Sequence, residues 1–212
     1  MTYTLYGRPW SGSLTVEWLL EEMGLPYDKV WVTGYRENVQ PPEFAEINPL
    51  RAVPTLTLED GSVLTESAAI MMWLAEAHGS VKWAPAIGSV ERADYLRWMS
   101  FMSASLYPVA MQIYHPENYS DDVAHHDGIV ARGRLVVDQQ WAVMRAALGE
   151  RDHLVGSHMT AADIYLLMFA KWFADMGGIA DDDSAMAAWR EGMLARPAIK
   201  SVLARHESGA WA

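Results

Sequence analysis

Val53-Pro54, set in Arg51-Ala52-Val53-Pro54-Thr55-Leu56 and followed by Thr65-Glu66-Ser67, is the part of the chain best suited to grip a ligand. A residue that precedes proline is pushed out of the α region, so Val53 is extended. With a cis bond at Pro54 the chain would bend and turn the Val53 N–H and C=O outward, like an unpaired sheet edge. Glu66-Ser67 opens a helical pattern, whose first N–H groups and positive dipole end favour an anion. A main-chain edge beside an anion pocket suits a short peptide bearing a carboxylate. Either motif alone is weak, since Val-Pro is common and Thr65 with Glu66 could be only a cap and a first-turn acid. Their spacing across a hairpin makes the pair specific.

The elements that must position these groups follow from periodicity. Tyr3–Tyr6 reads as a strand, Gly7–Gly12 as a loop, and Val16, Leu19, Leu20 and Met23 as one helical face. Gly24 ends that helix, with Pro26 just beyond. Tyr27–Val32 is a second strand, and Thr33–Pro49 a loop with one helical turn at Phe44–Ile47. Thr55–Leu58 and Ser62–Leu64 flank an Asp60-Gly61 hairpin tip. A helix carrying Ile70, Trp73, Leu74 and Ala77 follows, closed by Gly79. The order βαβ then ββα is that of a thioredoxin-like domain, assigned to residues 1–79, with a linker at 80–88 and an all-helical domain at 89–212. In the latter, Val90–Tyr114 is expected to kink at Pro108, Asp122–Leu148 to form one long helix, and Thr160–Ala174 to lie buried in a bundle. Ser184–Leu194 and Pro197–Arg205 complete it, the first preceded by a solvating Asp181-Asp182-Asp183 run. Thr160 and Asp163 read as a capping box, with Met159 and Ile164 as its hydrophobic staple.

Composition narrows the chemistry. The 212 residues carry a net charge of −11, which disfavours nucleic acid and anionic membrane as partners. There is no cysteine, so disulfides, thiolate metal sites and a cysteine nucleophile are excluded, and in any thiol chemistry the sulfur belongs to the ligand. No apolar run reaches about 18 residues. The chain enters its first strand without a basic, then apolar, leader, so a cytoplasmic protein is expected. No His-Glu-x-x-His, Gly-x-Ser-x-Gly or Gly-x-Gly-x-x-Gly occurs. The seven histidines are read as surface residues, and no metal site is expected.

The Val53-Pro54 bend, the Glu66-Ser67 helix start, the linker and the Thr160–Asp163 box together make the chain resemble the cytosolic glutathione transferase family, in its bacterial and serine-type form. The resemblance implies a thioredoxin-like domain followed by a helical bundle, a homodimer, glutathione as co-substrate and no metal or organic cofactor. It implies that Val53 and Pro54 present main chain to the cysteinyl unit of glutathione. Glu66 and Ser67 would hold the γ-glutamyl ammonium and carboxylate, and Gln40 or Arg51 the glycyl carboxylate. Tyr35 and Arg36 would lie nearby, lining the site or simply exposed. A thiol has a pKa of about 8.5, so roughly 3% is ionised at pH 7. Lowering it by about two units requires nearly 3 kcal/mol, which a hydroxyl donor and a helix N-terminus can supply. Ser11 is the first choice of donor, because serine-type members carry theirs just before the helix start. Tyr6 has the spacing to Gly24 of tyrosine-type members, or is an ordinary strand aromatic. Ser13 is a third candidate, or the helix N-cap. Trp10, Met102, Leu106, Tyr107 and Met111 are the expected walls of a pocket for a small apolar electrophile between the domains. A non-catalytic binding or interaction protein is the competing reading, and isomerase, β-etherase and dehalogenase reactions remain open within the first.

Overall fold

The computed structural model describes residues 2–34, 38–79, 82–175 and 184–209. Tyr3–Gly7 (β1) alternates buried and half-buried side chains, as a strand packed more tightly on one face does. After it come α1 (Ser13–Met23), β2 (Tyr27–Trp31), the single turn α2 (Phe44–Ile47), β3 (Thr55–Thr57), β4 (Val63–Leu64) and α3 (Ser67–Ala77). The strands form one mixed sheet in the order β2-β1-β3-β4. β1 and β2 are parallel, with Gly7 opposite Trp31. β3 is antiparallel to β1, with Tyr6 opposite Thr55, and β4 is antiparallel to β3. This is the thioredoxin-like arrangement read from the sequence.

Local chemistry sets the ends of these elements. Leu14, Val16, Leu19 and Leu20 of α1 are fully buried. The helix stops at Gly24, whose φ of 67° costs glycine little. Leu25 N–H reaches Leu20 C=O at 3.0 Å and Gly24 N–H reaches Glu21 C=O at 3.1 Å, the paired bonds of a Schellman end. The hairpin closes at Asp60-Gly61, where Asp60 Oδ1 accepts from Ser62 N–H at 2.9 Å.

Helices make up most of the rest: α4 (Val90–Phe101), a π-helical turn (Met102–Leu106), α5 (Tyr107–Tyr114), α6 (His126–Leu148), α7 (Ala161–Asp175), α8 (Ser184–Leu194) and α9 (Pro197–Glu207). The expected irregularity near Pro108 takes the form of that π-helical turn just ahead of it. Proline gives no N–H to the carbonyl four residues back and crowds it, and a widened turn relieves both. Asp122–Leu148 is not one helix. The Asp122 carboxylate accepts from Ala124 N–H at 2.9 Å, capping a separate 3-10 turn at Val123–His125. α7 is buried on almost every side, and each Leu, Ile or Phe so placed contributes about 1.5–3 kcal/mol.

The Thr160–Asp163 box forms with altered roles. Asp163 Oδ2 accepts from Thr160 N–H at 2.7 Å, as expected. Thr160 Oγ1, however, donates to the same carboxylate at 3.0 Å and accepts from Ala162 N–H at 3.3 Å, rather than from Asp163. Asp163 Oδ1 takes Leu154 N–H at 2.7 Å, which fastens the preceding loop to the helix. Burial pushes the Asp163 carboxyl up from its ordinary range, against the pull of these donors.

The chain divides into two compact units, residues 1–84 with 192–212, and residues 85–191. The sequence boundaries carry the helical domain through residue 212, whereas α9 packs on α1 within the first unit. Its Ile199 and Val202 are fully buried, and Arg196, at the N-cap of α9, holds Glu22 of α1 through two hydrogen bonds of 2.6 and 2.7 Å. Among the described residues no helix is long and apolar enough to cross a membrane. The Asp181–Asp183 run lies outside the described residues.

Candidate active site

Asn48 builds the corner at Val53. It is buried; its Oδ1 accepts from Leu50 N–H at 3.0 Å, and its Nδ2 donates to Ala52 C=O and to Thr55 Oγ1, each at 2.9 Å. Thr55 Oγ1 donates in turn to Ala52 C=O at 2.9 Å. Inside this bracket half-buried Arg51 takes a φ of 52°. The Gln40–Pro41 and Val53–Pro54 bonds are cis. Val53 packs its side chain, with Tyr6 and Ile47, on Val32, Val39 and Phe44. Among the described residues neither its N–H nor its C=O has a hydrogen-bond partner.

Because Tyr6 lies opposite Thr55, the loop leaving β1 starts one strand away from this corner. Glycine is required at position 7, where a Cβ would fall 2.4 Å from Ser13 Oγ and 2.7 Å from Lys29 Nζ. Ser11 Oγ donates to Arg8 C=O at 2.9 Å, lies 2.9 Å from Ser13 Oγ and accepts from Ser13 N–H at 3.3 Å. Ser13 Oγ also donates to Arg8 C=O, at 3.1 Å. Gly12 occupies the N-cap of α1 and has no side chain to cap it. The Ser11 hydroxyl takes that part, and Ser13 is the first helical residue rather than the cap. The two hydroxyl protons and the Ser11 N–H, at 3.4 Å, thus share one carbonyl with two lone pairs, so Ser13 can keep it while Ser11 turns its hydroxyl elsewhere.

Ser67, buried, is the first residue of α3. Glu66 before it adopts φ 64° and ψ 108° and makes no side-chain cap. Its exposed carboxylate has no partner among the described residues. Thr15 Oγ1, in the first turn of α1, donates to Met71 Sδ of α3 at 3.3 Å. At 1.5 Å rise per residue the two helices begin about 3 and 6 Å along their axes from this contact. Two positive helix ends therefore open near each other. Among the described residues, the non-glycine residues at positive φ are Trp10, Arg51 and Glu66. Each costs on the order of 1 kcal/mol or more, and such residues gather where main-chain geometry serves a ligand. All three fall in the segments singled out from the sequence.

Residues 9–77 match the family model "Glutathione S-transferase, N-terminal domain" and residues 134–197 match "Glutathione S-transferase, C-terminal domain". The chain belongs to the glutathione S-transferase family. The uncharacterized GST-like protein YncG of Escherichia coli (strain K12) is 28% identical over 207 residues, 96% of this chain and 98% of that protein. Glutathione S-transferase GstA of Escherichia coli O157:H7 is 24% identical over 203 residues, 94% of this chain and 96% of that one. In three dimensions the chain is similar to a sphingomonad glutathione S-transferase complexed with glutathione, with a TM-score of 0.83, 29% identity and coverage of 96% and 98%.

The remaining site candidates fall in both units. Gln40 is exposed and pairs its main chain with Thr33 at 2.8 and 2.9 Å. Tyr6 stacks on Phe44, ring centroids 5.2 Å apart. Trp10 is 38% exposed in the first unit. In the second, Met102 and Leu106 are fully buried, while Tyr107 and Met111 are half-buried, Tyr107 standing edge-on to Phe169 and Trp172. Tyr35 and Arg36 lie outside the described residues.

The sequence reading missed the charge buried behind the serine loop. His206 is 1% exposed, a correction to its assignment as a surface histidine: α9 folds back onto α1 and encloses it. Its Nε2 lies 3.1 Å from Glu17 Oε2. Glu17, also buried, takes Lys29 Nζ at 2.6 Å and Arg205 Nη2 at 3.2 Å, while Arg205 also reaches Glu21 at 2.6 Å and Tyr27 Oη at 2.7 Å. Burial alone would raise the Glu17 carboxyl. The His206 hydrogen bond and the Lys29 charge outweigh it and bring the pKa from 4.5 down to about 2. Burial pushes the Lys29 ammonium the other way, below its usual value. Glu17 lies one turn from Ser13 and Glu21 on α1, and His206 lies 189 residues away; no local pattern links them.

Proposed function

We propose that this chain is an enzyme that binds glutathione, stabilises its thiolate and adds it to a small apolar electrophile. The observation that carries the reading is the Val53 main chain, open among the described residues and one strand from the loop bearing Ser11. Val53 N–H and C=O pair with the cysteinyl unit as an added strand does. The N-terminus of α3 and Ser67 receive the γ-glutamyl carboxylate, the exposed Glu66 carboxylate its ammonium, and Arg51 or Gln40 the glycyl carboxylate. That peptide placement carries the sulfur towards the start of α1. There Ser11 turns its hydroxyl from Arg8 C=O to the sulfur and Ser13 keeps the carbonyl. One charge-assisted hydrogen bond and the helix end together supply the nearly 3 kcal/mol that ionisation at neutral pH requires.

A homodimer in the cytoplasm is part of the same reading, and light scattering at working concentration checks the stoichiometry. A non-catalytic binding protein is the second reading, favoured by one observation: both serine hydroxyls already donate inward to Arg8. Calorimetry with glutathione and turnover of a generic aryl halide separate the two. Heat of association together with turnover that Ser11→Ala lowers supports the enzyme. Heat without turnover supports the binding protein. No heat at millimolar glutathione and no turnover end the enzyme reading and favour an interaction protein. Turnover that survives Ser11→Ala but not Tyr6→Phe moves the donor to Tyr6.

A further inference from the structure

Trp10 precedes the proposed donor and holds an aromatic residue at φ 58°. Its N–H donates to His206 Nδ1 at 3.3 Å. His206 Nδ1 is then the acceptor of the ring, which leaves Nε2–H to donate to Glu17 Oε2 at 3.1 Å. The imidazole is further boxed by the Trp10 ring, centroids 5.4 Å apart, and by the Trp31 ring at 5.0 Å. Glu17 cannot swing away, since Lys29 of β2 and Arg205 of α9 hold both its oxygens. The imidazole thus bridges a fixed carboxylate on α1 to the main chain of the loop that ends at Ser11.

We propose that His206 is a positioning residue for thiol activation: through Nδ1 it fixes the Trp10 main chain, and thereby sets where the Ser11 hydroxyl stands relative to the start of α1. This deepens the transferase reading and rests on it. His206 touches no substrate; it acts through Trp10. The geometry separates its two ring nitrogens, because Nδ1 serves the loop and Nε2 serves the buried charge cluster. Substitutions that mimic one nitrogen at a time therefore dissect the role. Asn places an amide oxygen where Nδ1 lies and keeps the loop contact. Gln places an amide nitrogen where Nε2 lies, keeping the Glu17 contact and losing the loop.

The experiment measures the pKa of enzyme-bound glutathione by ultraviolet thiolate absorbance across pH, with glutathione affinity by calorimetry, for wild type, H206N, H206Q and S11A. The expected result is a bound-thiol pKa raised by about half to one unit in H206Q, a three- to tenfold fall in the thiolate-to-thiol ratio for one lost hydrogen bond. H206N stays near wild type, and affinity is little changed in either. Wild-type hydrogen exchange adds a measurement that needs no variant: the Trp10 amide should be protected well beyond an open loop amide. Equal pKa values in wild type, H206N and H206Q, with S11A impaired, overturn the proposal and leave the serine reading intact. So does equal loss in H206N and H206Q, which would mean packing alone, and so does fast exchange at Trp10. A silent S11A with H206Q impaired and H206N normal removes Ser11 as donor and overturns the proposal as stated, since His206 would then act on the thiol by a route other than the Ser11 hydroxyl.

Discussion

The corner at residues 48–55 and the loop at residues 8–13 answer the same demand in opposite ways. Each holds a non-glycine residue at positive φ, Arg51 at 52° and Trp10 at 58°. The corner is secured from within: Asn48 reaches Leu50, Ala52 and Thr55, no partner more than seven residues away. The loop has short-range bonds from Ser11 and Ser13 to Arg8 C=O, but its Trp10 main chain is also secured from far off, by His206 across 196 positions of chain, and that histidine is in turn fixed by a buried carboxylate. A short-range bracket needs only its own segment to form. A long-range anchor makes the loop depend on α9 having docked. The serine loop should therefore fail whenever the C-terminal helix does, and the corner should not.

The largest effect expected from breaking this contrast is at Glu17. Removing one partner of a buried charge cluster costs about 3–5 kcal/mol, because the charges left behind stay buried. Glu17→Ala should lower the urea midpoint accordingly, with the loss of α9 protection in hydrogen exchange preceding that of the sheet. A fall of under about 1 kcal/mol would mean that water already reaches the cluster. The same carboxylate sets an acid limit. Its folded pKa of about 2 lies below the ordinary 4.5, so its contribution is complete above pH 4.5 and is lost as pH falls through 2. Wild type should shed up to about 3 kcal/mol from this group across that window. The stability gap between wild type and Glu17→Gln should narrow in step, as urea melts at successive pH values would show.

This contrast also explains what could be read in advance. Val53-Pro54 and Glu66-Ser67 are contiguous signals with local causes, and the strands, α1, α3 and the Thr160–Asp163 start were legible for the same reason. Asn48 left a trace that went unread: an Asn before proline, seven positions ahead of a threonine, is a turn bracket waiting for its partner. Glu17 and His206 left none, because a glutamate in a helix and a histidine near a chain end both look solvated until α9 is seen to fold back. Gly12 at the N-cap likewise hid the fact that the Ser11 hydroxyl caps the helix.

Asn48→Ala sharpens the comparison from the other side. It removes the donors and acceptor for Leu50, Ala52 and Thr55, and a buried amide of this kind is worth about 2–3 kcal/mol. In the proposed reading the corner grips the peptide and the loop ionises its sulfur, so Asn48→Ala should weaken glutathione affinity and leave the pKa of the bound thiol alone. His206→Gln should do the reverse. Calorimetry and thiolate absorbance on the two variants read the two quantities separately. If both variants move the same quantity, corner and loop are one mechanical unit and the contrast fails.

The smallest effect is expected at Gly24, a short-range device of another kind. Its φ is 67°, and a Cβ there would meet nothing within 4 Å. Gly24→Ala therefore carries only the conformational cost of an L-residue in the left-handed region, about 1 kcal/mol. The helix it ends is the one whose beginning faces the serine loop, yet the Schellman bonds at Leu20 and Glu21 involve main chain alone. Thermal melting should show the small loss, and thiol ionisation should stay at the wild-type value. A raised thiol pKa in Gly24→Ala would show that the far end of α1 communicates with its start, so that the anchoring of the loop reaches along the whole helix and not through His206 alone.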